Sequence, residues 1–505
     1  MLKLEAPSNK WVFLLLMAAT LAVYVISFRN GWTYDDIPVI LQNPRAQSLE
    51  AFINLPSPGR PLRELSYIVD YNLFGTNPAG YRIQQLLWHG SNSFLLYLLL
   101  LRFGLPAMSS LAGALLFIVH PLQVESVASI GHRKELLALF FSLSSFHFYL
   151  RALTGERRGA LLQMAISAIL FAIALLANLT VVTLPLAMLL YEWLLAPRER
   201  RLLLRAPLVT AGVAALAISI FFWRHRHIFD PGQLAIIYSQ NNFFSSTSYP
   251  PLLGGILKGF GFYLLKLIVP LNLAPEYVIA IPPSVPDWRA VLSLLALGGL
   301  VLTMFRLRSG NPRVAFGLGW FLILYLPVSN LIPTGYLVAD RYMYLCLPGM
   351  AMVAAAVHWN RLPKCMPLAG VSALLLLSVL TIVQIGYWRD PLTLWRHAAA
   401  VNPDSTGANL SAAAKLLDAG LLPEAEFHAR RVLALNGSYS YGYYMLARVL
   451  DRQGKLAEAY INYRIFAAVG AERFPGEAAH ARSYLPVLEE RLRANIGSGQ
   501  SGGGQ

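Results

Sequence analysis

Charge is what this 505-residue chain has least of: 13% of its residues are Asp, Glu, Lys or Arg, where a soluble domain carries about 25%. That deficit excludes an ordinary soluble enzyme. Cysteine is nearly absent too, with two residues, Cys346 and Cys365. One lies in an apolar run and the other beside a membrane edge, which excludes a disulfide scaffold and leaves a thiol nucleophile without an adjacent partner. Acidic residues number only 26, so any carboxylate kept at a bilayer edge asks for a reason. The 41 Lys and Arg residues give a net charge of +15. Most of them cluster in short loops between apolar runs, where the positive-inside rule explains them and nucleic acid is not implied.

What is abundant is hydrocarbon, with 56% hydrophobic residues and a mean hydropathy of +0.51. Leu-rich runs of about 18–22 residues recur from residue 11 to residue 386 and then stop. Lys3 and Lys10 precede the first run as in a signal peptide, but the further spans make it an uncleaved first helix. Starting in the cytoplasm, Trp11–Phe28 exits, and a polar loop over 29–85 precedes the return through Leu86–Arg102. The second outer loop is 120–135. Basic loops at Arg151–Arg158 and Pro197–Arg201 both fall on the cytoplasmic side. Keeping later basic loops there requires that 251–271, rich in Gly and Pro, not cross. The expected fold is all-α: about 11 spans plus a re-entrant or interfacial segment in a transmembrane domain of residues 1–388.

The remaining sequence repeats itself. Ala413, Leu416, Gly420, Leu422, Glu424, Ala425 and Arg430 recur 34 residues later as Ala447, Leu450, Gly454, Leu456, Glu458, Ala459 and Arg464. That period, with small residues where helices cross, marks tetratricopeptide repeats, expected over 389–495 with a capping helix at about 476–494 and a flexible tail at 496–505. Such an array presents a surface to extended segments. On the topology above it shares the outer compartment with Asp35 and Asp36.

Four outward-facing groups could carry chemistry. Tyr34-Asp35-Asp36 stands at the first membrane exit, where a carboxylate can act as general base. Arg60 and Arg63 lie on the side that disfavours cations and call for an anion: a carboxylate of the pair or a lipid phosphate. His120, Glu125, His132 and Arg133 crowd the second loop. His120 and Glu125 are two candidate metal ligands without a third, which leaves a divalent cation open. Asp340-Arg341-Tyr342-Met343-Tyr344 opens a late span, and the Arg341 fork suits phosphate oxygens. Together these point to transfer from a lipid-linked phosphate. Such a leaving group departs as a stable anion, so one base and a few cations suffice.

In their order, these words resemble those of the integral-membrane GT-C glycosyltransferases. The closest likeness is to the transmembrane O-mannosyltransferases that carry tetratricopeptide repeats. Arg60-Pro61-Leu62, Asn77-Pro78, His120-Pro121, Glu135-Leu136-Leu137, Pro270-Leu271-Asn272-Leu273 and Asp287-Trp288-Arg289 extend the resemblance over nearly the whole chain. It implies inverting transfer of a sugar from a polyprenyl-phosphate donor to an acceptor on the non-cytoplasmic face. Asp35 would be the base and Asp36 its support. His120, Glu125, His132 and Arg133 would line the pocket, and Arg341, Arg60, Arg63 and Tyr344 would hold the donor phosphate. The family usually has Glu where this chain has Asp340, and its repeat arrays are often longer. The compact plan is that of a bacterial inner-membrane member using undecaprenyl or another polyprenyl phosphate, with site and repeats periplasmic. A protein or envelope-glycan acceptor would dock on the repeats. Two other readings remain open, a lipid-linked oligosaccharide transferase or ligase and a membrane-anchored repeat scaffold, while a transporter is disfavoured because acids and cations concentrate in the outer loops rather than at mid-membrane.

Overall fold

A computed structural model gives the fold of residues 8–56, 60–154, 157–196, 249–279, 287–331, 336–357 and 365–500, with Gly212 and Ala215. Every regular element among these is helical. The sequence also predicts a span at 206–223, of which only Gly212 and Ala215 are among the described residues. The chain forms two units: one of Met1–Leu273 with Ile279–Arg389, the other of Ala274–Val278 with Asp390–Gln505.

Among the described residues of the first unit, five helices are long and apolar enough to cross a membrane, or six if the bent pair Ala107–Val119 and Pro121–Ala128 is one span. Asn9–Arg29 is the first, burying Val12, Leu16 and Val23 on one face and exposing Trp11, Leu14, Leu15 and Leu21 on the other. Several expected spans are shorter helices, such as Leu347–Ala356. The segment over 251–271 is largely one continuous helix, Tyr249–Ile268, with Lys258 paired to Asp287 at 2.9 Å.

The first outer loop is more ordered than its polarity suggests. It folds into helices Leu49–Asn54 and Pro61–Phe74. The returning helix starts at Pro78, well before the expected Leu86, because Asn77 caps it and Pro78 needs no N–H donor at N1. A buried Arg45–Glu64 ion pair at 2.9 Å fastens helix Pro61–Phe74 to the preceding turn. Ala107–Val119 ends before Pro121, whose ring cannot continue a helix. The chain bends there by 54°.

Late helices approach backbone to backbone. A Cβ added at Gly349 would lie 2.5 Å from the Gly317 carbonyl, and one at Gly317 would lie 2.6 Å from that of Gly349. Small residues at such crossings let membrane helices gain packing contacts. Gly349→Val should therefore lower the folded yield and the thermal midpoint of the detergent-extracted protein. Overpacking of this kind costs about 1–3 kcal/mol, and unchanged thermal unfolding would contradict the reciprocal contact.

In the second unit, Pro391–Val401, Thr406–Asp418, Leu422–Leu435, Ser440–Arg452, Leu456–Val469 and Pro475–Gln500 each pack on the next. The last helix runs beyond the expected 494. Gly420 and Gly454 adopt positive φ, +74° and +76°, ending equivalent helices. After each, the next residue donates its N–H back across the turn, Leu421 to Leu416 O and Lys455 to Leu450 O. Arg396–Glu424 and Arg430–Glu458 are the same ion pair one period apart, both at 2.7 Å. Residues 274–278 join this unit, with Ser405 Oγ donating to the Glu276 carboxylate at 2.6 Å.

Glu426 accepts from Lys455 at 2.7 Å and pairs with Arg430 at 2.8 Å. The Lys455 bond leads in holding its carboxyl down at about 2. A depressed carboxyl stabilises the fold above its unfolded value, about 4.3, and loses that contribution as pH falls toward 2. Glu426→Gln should unfold this unit more readily at pH 6, with the difference from the native chain vanishing near pH 2, measured by thermal melts of both proteins.

Candidate active site

The site is built where the first membrane exit meets the bend after Val119. Tyr34 has φ of +48°, a conformation uncommon outside glycine. This turn sends the two following carboxylates in different directions. Asp36 is fully buried. Its Oδ1 accepts from Ser129 Oγ at 2.9 Å and Gly131 N at 2.7 Å, and its Oδ2 from Thr33 N at 3.2 Å. Burial raises its carboxyl above the ordinary range, opposed by Arg82 and these donors. Asp35 instead keeps 39% of its side chain exposed, with Oδ2 3.6 Å from His132 Nε2. Of the two, only Asp35 is open to an incoming group.

Behind Asp35, His132 Nε2 is also 3.5 Å from Glu125 Oε1. That same oxygen pairs with the Arg341 guanidinium, while Oε2 accepts from Arg341 N at 2.8 Å. Arg341 lies over the rings of Tyr336 at 5.0 Å and Tyr342 at 5.4 Å. Tyr34 donates to Tyr336 Oη at 3.2 Å, and burial pushes its phenol well above the ordinary value. Asp35, His132, Glu125 and Arg341, far apart in sequence, thus form one contiguous chain.

Cations surround it. The charges of Arg341, Lys134, Arg60 and Arg63 all bear on His132. Arg63 is 6% exposed and its Nε is buried without a hydrogen-bond partner. Arg60 is pushed below its ordinary value by burial and then by the neighbouring Arg63. Lys134 is 8% exposed, with Glu135 3.6 Å away. Lys134 went unselected in the sequence, although a signal was there. A lysine in the first turn of a long helix opposes the helix dipole and so wants an anion nearby.

Three expected site residues are occupied elsewhere. His120 accepts from Leu122 N at 3.3 Å and faces Leu267 O at 3.1 Å, so both ring nitrogens serve the bend. Arg133 is buried against Asp70 at 2.5 Å, with Gln85 at 2.9 Å and Tyr81 O at 3.0 Å completing its fork. Tyr344 is buried beside His89 at 2.9 Å and Asn92 at 3.1 Å. As for a divalent cation, no group of three or more His, Cys, Asp or Glu side chains among the described residues is arranged to hold a metal ion.

Fold and site together define an integral, multi-pass membrane protein with a carboxylate and a cation cluster at its first exit. The sequence profile described as dolichyl-phosphate-mannose-protein mannosyltransferase matches residues 68–223. Protein O-mannosyl-transferase F38B6.6 of Caenorhabditis elegans is 23% identical over 459 residues, covering 84% of this chain and 63% of that protein. Protein O-mannosyl-transferase TMTC4 of Mus musculus is 27% identical over 488 residues, covering 81% and 64%. Among solved structures, ArnT from Cupriavidus metallidurans bound to undecaprenyl phosphate aligns with a TM-score of 0.42 and 15% identity, over 91% of this chain and 80% of that one. The chain spans less than two thirds of the length of these curated relatives. Its sequence is similar to those of protein O-mannosyl-transferases.

The two carboxylates should separate cleanly on substitution. Asp36→Asn puts an NH2 group against N–H and O–H donors, and hydrogen bonds to a charged group contribute about 1.5–3 kcal/mol each. Its thermal midpoint should drop by several degrees, while Asp35→Asn should melt within a degree or two of the native chain. Equal losses for both would contradict the division of roles.

Proposed function

We propose that this chain is an inverting GT-C glycosyltransferase that moves a sugar from a polyprenyl-phosphate donor to an acceptor hydroxyl on the non-cytoplasmic face. The observation that carries this reading is a half-exposed carboxylate, Asp35, beside buried cations that include the unpartnered Arg63 Nε. A buried guanidinium N–H left without an acceptor is costly, and a phosphate entering from the bilayer would supply one. The match to mannosyltransferase profiles and relatives supports the reaction class.

In this mechanism Asp35 takes the proton from the acceptor hydroxyl as its oxygen bonds to the anomeric carbon. The bond from that carbon to the phosphate oxygen breaks on the opposite face, inverting the centre. The electron pair stays on the phosphate, and Arg341, Arg60, Arg63 and Lys134 stabilise its charge. Charge that develops only in the transition state is where fixed cations accelerate a reaction. No general acid is needed. Asp36 holds the turn that aims its neighbour.

The second unit we read as a tetratricopeptide module that docks a protein or glycan acceptor. The repeated Gly420 and Gly454 turns and the repeated Arg–Glu pairs favour it. The setting that fits is a bacterial inner membrane with site and repeats periplasmic and undecaprenyl phosphate as carrier.

Purified protein given labelled polyprenyl-phosphate sugars and a candidate acceptor should release polyprenyl phosphate. Asp35→Asn should lower that rate about 10²–10⁴-fold at unchanged membrane abundance. Absence of release with every donor, or full activity in Asp35→Asn, would overturn the assignment.

A further inference from the structure

His132 is unlike the other buried histidines of its unit. His89 bonds Tyr344, His120 meets Leu122 N and Leu267 O, and His147 reaches Leu95 O at 2.9 Å. The His132 ring is 1% exposed, and neither of its nitrogens has a hydrogen-bond partner. Nε2 instead stands 3.5 Å from Glu125 Oε1 and 3.6 Å from Asp35 Oδ2, just beyond bonding range of both. A histidine kept only for packing would have its polar atoms satisfied. One set equidistant between two carboxylates is poised to choose.

The choice is tied to Arg341, because the Glu125 oxygen nearest His132 is the one that pairs with the Arg341 guanidinium. We propose that His132 is a positioning residue that couples phosphate binding at Arg341 to the readiness of Asp35. This rests on the transferase reading above. With no phosphate bound, Arg341 occupies Glu125 Oε1, which leaves Asp35 as the acceptor on which the single Nε2 hydrogen of a neutral ring would close from 3.6 Å. A donor phosphate draws the Arg341 fork to its own oxygens. Glu125 Oε1 then lacks a donor and takes the Nε2 hydrogen, so the ring leaves Asp35 Oδ2 open to the acceptor hydroxyl. No proton changes owner in this step. The base becomes competent only when a donor is present, which protects the activated site from idle encounters. The arrangement is two-state, since the ring has one hydrogen on this side for two acceptors.

The test labels Asp35 with a water-soluble carbodiimide and nucleophile in the full-length protein in detergent, quantified by mass spectrometry, with and without undecaprenyl phosphate. Binding of labelled undecaprenyl phosphate is measured in parallel. In the native chain, saturating undecaprenyl phosphate should raise Asp35 labelling at least about threefold, the response expected when a competing donor leaves a carboxylate. His132→Leu should bind undecaprenyl phosphate within about twofold of native yet label Asp35 at one rate regardless of it, the coupling having been removed. His132→Gln, whose amide N–H stands in for Nε2–H, should restore the response. Turnover gives a second readout: His132→Leu should lose kcat with little change in donor KM, and the Gln variant should recover part of it. Binding without any change in native labelling would overturn the coupling and leave the transferase reading standing. Failure to bind undecaprenyl phosphate or any other polyprenyl phosphate would overturn both.

Discussion

Asp36 takes hydrogen bonds from Ser129, Gly131 and Thr33 while fully buried, and the rest of the site depends on that arrangement. The three donors come from two separate outer segments, so one carboxylate joins the first membrane exit to the bend between two spans. Its tolerance for side chains is low. A Cβ at Gly131 would stand 3.0 Å from the Asp35 carbonyl carbon, so a side chain there would require the Asp35 turn to give way slightly. With the segments joined, Asp35 lies beside His132, and His132 beside Glu125. Without the joint, no covalent constraint would hold the half-exposed carboxylate near any cation.

The outer region uses buried ion pairs where a soluble protein would use hydrocarbon. Arg45 with Glu64, Arg133 with Asp70 and Arg341 with Glu125 are all largely removed from water. Such pairs return little net stability compared with apolar packing, so their number calls for another reason. Two of them, together with the Asp36 joint, fix helix Pro61–Phe74 and the first turn of Arg133–Thr154 against each other. Those elements carry Arg63 and Lys134. Rigid placement of surplus cations is what a phosphate grip requires, since flexible lysines and arginines would simply turn toward water.

How much of this could be read beforehand differs by level. Helical class, membrane character and the 34-residue period are legible because each is periodic, and periodicity survives without tertiary information. The order of the outer loop was not. Its helices are short and polar on the outside, and ion pairs such as Arg45–Glu64, nineteen residues apart, hold them. The words around Asp35, Glu125 and Arg341 were legible as chemistry, but the split between Asp35 and Asp36 comes from one positive-φ residue, Tyr34. Tyr344 and Arg133 read as site residues for the same reason that Arg341 does, their company in the motif. Neighbours on a helical turn face different ways, however, and the motif does not say which way is in.

Lys134 carries the last step. It lies in the first turn of helix Arg133–Thr154, where the backbone already presents unpaired N–H groups and the positive end of the dipole. Arg60, Arg63 and Arg341 bear on it there, and Glu135 pairs with it at 3.6 Å. A cluster of like charges of this kind destabilises the protein by itself, with salt unable to screen what is buried. Glu135, Glu125 and Asp35 offset part of that repulsion, and an anionic group entering among these residues would offset more. A sugar hydroxyl or a neutral peptide would not do so, whereas a phosphate monoester or diester would. The electrostatics therefore favour an anion over a neutral group as the partner of these four cations.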